Sequence, residues 1–305
     1  MALSSSTAKA AIHPDTTVGT VRLTVSDLDR ARTFYEDAVG LSATEFEDGV
    51  LALATDAGRA LIELREAPAA PVPGPRATGL YHLAILVPTR RDLASALVRL
   101  AEAGWPSHGA SDHLVSEALY SSDPDGNGIE IYRDRPRDQW PRASGALQMS
   151  TLPLDLRSVL AELGDAASVG RLAPAGSRIG HIHLQVADLR DAEAFYNGVL
   201  GFEVMVRGYQ GALFLSAGGY HHHIGLNTWH SAGGSPPGPG SIGLRSFEVE
   251  LPDEQELGRV LARVQAAGLE IQQTGSRSLV RDPSGNAVVL GVPPAAQARS
   301  AGTER

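Results

Sequence analysis

The chain has 305 residues and a formal net charge of −9, and it contains no cysteine. Its length suits two domains, or one domain built from repeats, and 43% hydrophobic residues are enough for a sizeable core. The acidic balance argues against a broad nucleic-acid surface. The lack of cysteine excludes disulfides and thiolate metal sites and fits a reducing cytoplasm. No apolar run approaches the roughly 20 residues that span a bilayer, so we expect a cytoplasmic globular protein of mixed α and β structure.

Two stretches of the chain repeat each other without a gap. The first reads GTVRLTVSDLDRARTFYEDAVGL from Gly19, and the second reads GHIHLQVADLRDAEAFYNGVLGF from Gly180. Each predicts an alternating strand, a helix that begins at Asp27 or Asp188, and a glycine near the end of the helix. The Phe-Tyr pair on each helix is interpreted as part of the core.

A second pair of repeats follows a shared plan more loosely. The stretches that start at Tyr81 and Arg245 each predict a strand, a Pro-containing turn and a helix, and they close with LYSSDPDGNGIEIYRD and LVRDPSGNAVVLGV. The Asp-Pro and Gly-Asn pairs are typical of tight turns between strands. The chain therefore contains four modules of similar plan, which span 17–66, 79–135, 178–230 and 241–293.

The remaining segments connect or flank these modules. The first residues lack the apolar core of a secretion signal, and they are interpreted as disordered. The linker between the second and third modules contains a short helical pattern near Leu154–Leu163. The predicted order is a disordered arm (1–16), an N-terminal domain (17–135), a linker (136–177), a C-terminal domain (178–293) and a tail (294–305).

The motifs GHxHLxVxDLxxAxxFYxxxLGF and DPxGNxIEI resemble those of the vicinal oxygen chelate superfamily, which includes glyoxalases, fosfomycin- and bleomycin-resistance proteins and type I extradiol dioxygenases. The resemblance covers nearly the whole chain outside its ends and the central linker. It implies an α+β fold in which four βαβββ modules pair into two cupped mixed sheets. In this family the first and last strands of the modules supply the ligands of a divalent metal held in a cup.

Only some of the positions that this resemblance selects carry metal ligands. The first-strand positions of the four modules hold Thr20, His82, His181 and Ser246, and the last-strand positions of the second and fourth hold Glu130 and Val289. Two imidazoles and one carboxylate leave three positions open on Fe(II), and Mn(II) accepts the same set. His82, Glu130 and His181 belong to the second and third modules, so we infer that these two form the active cup. The first and fourth then form a vestigial cup, and His183 is the alternative ligand.

A histidine run in the third module also matches extradiol dioxygenases. The segment GGYHHHIGLNTW contains His221, His222 and His223, which the resemblance places on a strand. Adjacent strand residues face opposite ways, so the three side chains cannot all enter the cup. The resemblance assigns the acid–base role to His222, with His221 and His223 as alternatives. A histidine with a pKa near neutrality can take a proton from a catechol and return it later.

The segment SDHLVSEALYSSDPDGNGIE matches the same group of enzymes. It contains His113 and Tyr120, and Tyr120 lies ten positions before Glu130. The resemblance implies that Tyr120 hydrogen-bonds a substrate oxygen and that His113 supports the site. The spacing between His113 and Tyr120 is two residues shorter than the family pattern.

Taken with the resemblance, these residues predict a non-haem Fe(II) extradiol dioxygenase, similar to the catechol 2,3-dioxygenases of aromatic hydrocarbon catabolism. Such an enzyme opens a catechol ring with O2 by meta cleavage to a semialdehyde. A glyoxalase-like isomerase or lyase is the second hypothesis, but it would need another carboxylate, and only Glu63 of the vestigial cup is spare. A non-catalytic protein that binds an aromatic ligand is the third. The pocket walls are expected around Tyr209–Phe214 and Trp229, and the relatives imply a homo-oligomer.

Overall fold

The structure is a computed structural model that describes a large part of the chain. The described residues are 11–47, where 44–47 are described by their backbone alone, 49–55, 58–165, 169–207 and 209–293. The predicted tail (294–305) and the first ten residues of the predicted arm lie outside the described residues.

The end of the predicted disordered arm packs against the body of the protein. Ile12 is 4% exposed, and its N–H donates to the carbonyl of Gly201 at 2.9 Å. Burial of an isoleucine side chain contributes about 1.5–3 kcal/mol. The prediction of disorder is therefore wrong for residues 11–16, because Ile12 is buried beside Gly201, a residue far along the chain.

Each module consists of a strand, a helix and three further strands, as the resemblance implies. Module 1 has β1 (Thr17–Val25), α1 (Leu28–Thr33), β2 (Ser42–Glu47), β3 (Val50–Ala54) and β4 (Ala60–Glu66). Module 2 has β5 (Gly79–Leu86), α2 (Arg90–Glu102), β6 (Ser107–Asp112), β7 (Ser116–Ser122) and β8 (Gly128–Asp134).

The linker between modules 2 and 3 contains short elements. These are a 3₁₀ turn (Arg137–Gln139), β9 (Arg142–Ala143), β10 (Ala146–Leu147), β11 (Leu152–Pro153) and α3 (Leu156–Ala161). The helix lies within the stretch where the sequence predicted one.

The second half of the chain repeats the plan. Module 3 has β12 (Arg178–Gln185), α4 (Leu189–Glu193), β13 (Glu203–Val206), β14 (Ala212–Ser216) and β15 (Ile224–Asn227). Module 4 has β16 (Gly243–Glu250), α5 (Glu254–Ala266), β17 (Gln272–Thr274), β18 (Arg277–Arg281) and β19 (Ala287–Gly291). No helix in the described part of the chain is long and apolar enough to cross a membrane.

The first helices of modules 1 and 3 begin where the sequence predicts. Asp27 and Asp188 each accept a backbone N–H of the first turn, at 2.8 and 2.7 Å, which caps the helix. Both helices then continue in π-helical geometry, over Phe34–Val39 and Ala194–Val199. These continuations carry the Phe-Tyr pairs, which are buried as predicted.

The tyrosines of these pairs tie neighbouring modules together through the DPxGN turns. The hydroxyl of Tyr35 donates to Asp123 at 3.1 Å, and the hydroxyl of Tyr196 donates to Asp282 at 3.0 Å. The turn itself requires a positive φ, which Gly126 supplies at 86° without the steric cost that a side chain would add. The repeated sequence motifs thus produce repeated contacts between modules 1 and 2 and between modules 3 and 4.

Apart from β9 and β10, which pair with each other, the strands form two mixed sheets, and each of these takes strands from both halves of the chain. The first sheet has eight strands in the order β17–β18–β19–β16–β1–β4–β3–β2. The second has nine in the order β11–β6–β7–β8–β5–β12–β15–β14–β13. At the centre of each sheet, two first strands pair antiparallel: β1 with β16, and β5 with β12. Module 1 therefore shares a sheet with module 4, and module 2 with module 3, which is the pairing inferred from the split ligand set.

Candidate metal centre

Three buried side chains converge on one face of the nine-stranded sheet, which we call the site face. His82 lies on β5, Glu130 on the neighbouring parallel β8, and His181 on the neighbouring antiparallel β12. The Nε2 atoms of His82 and His181 lie 2.9 and 3.1 Å from the same carboxylate oxygen, Glu130 Oε2. Among the residues that the structure describes, this is the one group of three or more His, Asp or Glu side chains whose ligand atoms lie within 4.8 Å of one another.

The charge states of these groups match those that a divalent cation needs. Burial by itself raises the pKa of the Glu130 carboxyl. His181 and His82 beside it lower that pKa by more than burial raises it, so the pKa lies well below 4.5. Burial lowers the pKa of His181 to about 4, although the adjacent carboxylate raises it. At neutral pH the carboxylate is therefore ionised and His181 is neutral, and metal ligation requires both states.

The arrangement within the group also fits a bound cation. His82 Nε2 is buried and, despite its distance of 2.9 Å from Glu130, lacks the geometry of a hydrogen bond. A buried polar atom without a partner is costly. A cation held between the three side chains would satisfy this nitrogen and neutralise the carboxylate. The group is thus consistent with a divalent metal site.

The eight-stranded sheet has no such group at the equivalent positions. Its register places Ser246 opposite Arg22, as His82 lies opposite His183, and it places Val289 beside Glu248, as Glu130 lies beside Ala84. Val289 is 4% exposed, and the Thr20 hydroxyl donates to the carbonyl of Ala60 at 2.8 Å. Apolar packing and hydrogen bonds therefore occupy the positions that hold His82, Glu130 and His181 in the other sheet.

Ion pairs fill the corresponding face of the eight-stranded sheet. Arg22 contacts Glu63 at 2.7 Å and Glu248 at 2.6 Å. Arg59 pairs with Glu250, and Arg277 pairs with Glu248, which is only 1% exposed. Glu63, the spare carboxylate in the sequence, is thus bound to an arginine in the other sheet.

The histidine run separates into three environments. The ring of His222 lies against that of His181, with centroids 4.0 Å apart, and burial lowers its pKa well below 6.5. His221 points away and contacts Asp134 Oδ1 through Nε2 at 2.8 Å. His223 Nδ1 accepts the N–H of Ala217 at 3.2 Å, and burial lowers the pKa of His223 to about 3. The ring centroid of His221 is 6.2 Å from that of His181, so His222 is the histidine of the run that packs most closely against the triad.

The prediction that this run lies on a strand is wrong. Strand β15 begins at Ile224, and the three histidines precede it. Gly218 and Gly219 both have positive φ, at 58° and 67°, and they turn the chain after β14. His221, His222 and His223 therefore lie in an irregular segment, and the directions of their side chains do not follow strand alternation.

His113 and Tyr120 are joined directly. Tyr120 lies on β7, opposite Glu130 on β8, and its hydroxyl is 2.6 Å from His113 Nε2. The other nitrogen, His113 Nδ1, is 2.7 Å from the carbonyl of Ser150, which can only accept. In neutral His113, Nδ1 thus carries the proton, and Nε2 accepts from Tyr120. Burial raises the pKa of Tyr120 well above 10, with a further contribution from Glu130, so the phenol keeps its proton.

His183, the alternative ligand, lies on the site face but outside the triad. Its ring centroid is 4.9 Å from that of His82 and 5.0 Å from that of Tyr81. The expected pocket wall stands nearby, since Phe214 and Trp229 lie 5.8 and 5.5 Å from His183 by ring centroids.

Sequence reasoning missed Asp134, which contacts the histidine run. It lies four residues after Glu130 on β8, on the same side of the strand. Besides His221, its carboxylate accepts the hydroxyl of Tyr220 at 3.0 Å, and the hydroxyls of Tyr220 and Tyr132 are 2.7 Å apart. The alternation of β8 would have placed Asp134 on the site face, but nothing in the sequence indicated its partner in another module.

The fold and this site agree with comparisons of the whole chain. The family model of the Glyoxalase/Bleomycin resistance protein/Dioxygenase superfamily matches residues 17–131 and 178–290. The chain belongs to this superfamily. It is 46% identical over 282 residues to a catechol-2,3-dioxygenase of Bacillus subtilis, which covers 91% of this chain and 98% of the relative.

Solved structures support the same fold at low sequence identity. A protein from Bacillus subtilis subsp. subtilis matches with a TM-score of 0.62 and 14% identity, over 93% of this chain and 87% of that one. Glyoxalase I from Zea mays matches with a TM-score of 0.55 and 15% identity, over 90% of this chain and 92% of that one. Proteins of different activities share this architecture, so the site has to indicate the chemistry.

Proposed function

We propose that the protein is a non-haem Fe(II) extradiol dioxygenase that cleaves a catechol-type ring with O2 to a semialdehyde. The observation that carries the proposal is the buried group of His82, Glu130 and His181 in a chain 46% identical to a catechol-2,3-dioxygenase. Two imidazoles and one carboxylate leave open positions on Fe(II), and Mn(II) accepts the same ligands. When bound, the metal would hold both catechol oxygens and carry electrons from the ring to O2.

His222 is the group we assign to proton transfer. It lies against His181, and its Nδ1 is 2.8 Å from Nδ1 of His221. His221 in turn contacts the Asp134 carboxylate through Nε2, so that in a neutral His221 the proton lies on Nε2 and Nδ1 accepts. His222 then donates from Nδ1 and presents an unprotonated Nε2, the form that takes a proton from a catechol hydroxyl.

Tyr120 and His113 are assigned to holding the substrate. The Tyr120 phenol lies between His113 and Glu130, and it keeps its proton. Because its one proton goes to His113 Nε2, the Tyr120 oxygen can accept a hydrogen bond from a hydroxyl of the bound ring. Because the Ser150 carbonyl holds His113 through Nδ1, His113 keeps Nε2 as an acceptor and orients the phenol.

The two other hypotheses fit the site less well. A glyoxalase-like reaction would need a second carboxylate ligand, and within the described residues none joins the group, while Glu63 is bound to Arg22 in the other sheet. A protein that only binds an aromatic molecule would not need the buried group of His82, Glu130 and His181. Assembly into a homo-oligomer and a cytoplasmic location stay predictions.

The test is anaerobic purification with metal analysis, followed by addition of catechol and O2. We expect stoichiometric iron, a yellow ring-opened product and O2 uptake in a one-to-one ratio. His82→Ala should abolish both metal binding and O2 uptake, whereas Ser246→Ala, the equivalent position in the other sheet, should retain both. Metal-free protein that binds catechols equally well with and without His82 would contradict the proposal.

A further inference from the structure

His183 is a buried polar residue of the site face that none of the roles above uses. It lies on β12, two residues after His181, and is 3% exposed. Its Nε2 atom is buried and has no hydrogen-bond partner among the described residues. A nitrogen left in this state is costly, because it has lost its water and gained nothing in return.

The other sheet shows how the same position is satisfied within the protein. Arg22 is the register equivalent of His183, and it is bound by Glu63 and Glu248. The residues that correspond to these two glutamates on the site face are Gly225 and Ala84, which offer no side-chain acceptor. His183 thus lacks the two carboxylate partners that Arg22 has at the equivalent position of the eight-stranded sheet.

Gly225 also makes the position of the imidazole possible. A Cβ atom at Gly225 would lie 2.9 Å from Cγ of His183, a distance that real Cβ atoms essentially never show. The ring therefore lies directly over the backbone of β15. Any larger residue at this position would push His183 away from the place where its Nε2 is now buried.

The surroundings of His183 are aromatic. Tyr81 lies edge-on to its ring, and Phe214 and Trp229 stand beside it at the distances given above. Trp229 is 43% exposed, so it lies at the rim. These walls suit a flat ring, and the imidazole offers one hydrogen bond but no permanent charge.

We infer that His183 is a specificity-determining residue whose Nε2 hydrogen-bonds an uncharged hydroxyl substituent on the aromatic ring of the substrate. The inference rests on the proposed function, because it assumes that a catechol ring lies at the triad. A hydroxyl both donates and accepts, so it can pair with either tautomer of a neutral imidazole. A methyl group of similar size at the same ring position leaves Nε2 unpaired.

The test compares ligands that differ only in this group. The matched pairs are pyrogallol with 3-methylcatechol and 1,2,4-trihydroxybenzene with 4-methylcatechol. Dissociation constants are measured anaerobically on the metal-loaded protein from the change in tryptophan fluorescence. In at least one pair we expect the hydroxylated ligand to bind about tenfold more tightly than the methylated one, the effect of one buried hydrogen bond.

His183→Leu should remove this preference while the metal content stays unchanged. His183→Gln, which keeps a hydrogen-bonding group, should retain part of it, and His230→Leu at an exposed position should retain all of it. Loss of metal in His183→Leu would overturn the inference in favour of a ligand role. An equal preference in the unaltered protein and His183→Leu, or no preference in either pair, would also overturn it. Failure of the unaltered protein to consume O2 with catechol would contradict the proposed function instead, since the binding comparison does not depend on turnover.

Discussion

His181 Nε2 lies 3.1 Å from Glu130 Oε2, although 51 residues and a module boundary separate the two residues. The contact exists because β12 and β8 are both neighbours of β5, at the centre of the nine-stranded sheet. A carboxylate and two imidazoles therefore meet in a buried place where only a cation or protons can balance the charge. Four predictions follow from this arrangement and from its absence in the other sheet.

Glu130→Gln should remove most of the metal affinity. The amide has the shape of the carboxylate but no charge, and a neutral set of two imidazoles and an amide binds a divalent cation poorly. We expect the dissociation constant for Fe(II) to rise by more than about 100-fold, beyond the 10–100-fold typical of changes outside the ligands themselves. Metal competition and elemental analysis measure it. Thr20→Ala, the equivalent of His181 in the other sheet, should leave the dissociation constant unchanged. A similar loss of affinity in Thr20→Ala would mean that the metal binds to the eight-stranded sheet.

Asp134→Asn should lower kcat and leave the metal content intact. An amide can donate to His221 Nε2, which would move the proton of His221 to Nδ1. His221 Nδ1 would then donate to His222 Nδ1 instead of accepting from it. Because His222 would then present a protonated Nε2, we expect kcat to fall by about 100-fold, the lower end of typical acid–base contributions. Steady-state O2 uptake on metal-loaded protein measures it, and Tyr132→Phe serves as the control because the Asp134 contact to His221 stays in place. A kcat within twofold of that of the unaltered protein would show that the contact from Asp134 through His221 does not set the protonation of His222.

The metal-free protein should lose stability as pH falls from about 7.5 to 5.5. Burial lowers the pKa of His181 to about 4 and that of His223 to about 3, whereas an unfolded histidine titrates near 6.5. Below about pH 6.5 the unfolded chain therefore binds protons that the folded chain does not, so unfolding becomes easier, and above that pH the effect disappears. Each such group contributes about 1 kcal/mol over this interval.

Urea unfolding at several pH values measures this slope. His223→Asn keeps an acceptor for the N–H of Ala217 but cannot titrate, so its slope should be shallower by about 1 kcal/mol over the interval. His230→Asn, at an exposed position, should retain the original slope. Identical slopes for all three proteins would contradict the prediction, because they would mean that His223 binds protons equally well in the folded and the unfolded chain.

Glu248→Ala should destabilise the fold without affecting the metal. Glu248 is 1% exposed and is contacted by Arg22, Arg59 and Arg277. Its loss leaves the partly buried Arg277 without this carboxylate, whereas Arg22 and Arg59 keep Glu63 and Glu250. Removal of one member of a buried ion pair typically costs about 3–5 kcal/mol. Chemical unfolding measures the loss. Glu36→Ala, from a partly exposed pair on the helix of module 1, should cost less than Glu248→Ala, although it also removes the acceptor of the Ala43 N–H. A small effect at Glu248 would mean that water enters this face freely.

Much of the local structure was predictable because its determinants lie within short segments. The alternating strands, the capping aspartates Asp27 and Asp188 and the DPxGN turns depend on neighbouring residues, and all appear where the sequence indicated. The repeats also placed His82, His181 and Glu130 at equivalent strand positions, and the split of this set between two modules indicated which modules share a sheet.

Other features depended on contacts between distant segments, which local patterns do not encode. Ile12 is ordered because it packs beside Gly201, and the residues next to Ile12 in the sequence do not indicate such a partner. The different environments of His221, His222 and His223 could not be predicted without the path of the chain before β15. His221 contacts Asp134, which lies on β8 of another module. The sequence by itself determined the modules, through local propensity and repetition, and together with the family resemblance it selected the three side chains that the structure brings together. Only the tertiary structure decided which neighbouring imidazole faces the triad, because that choice depends on side chains brought together by the order of strands in the sheet.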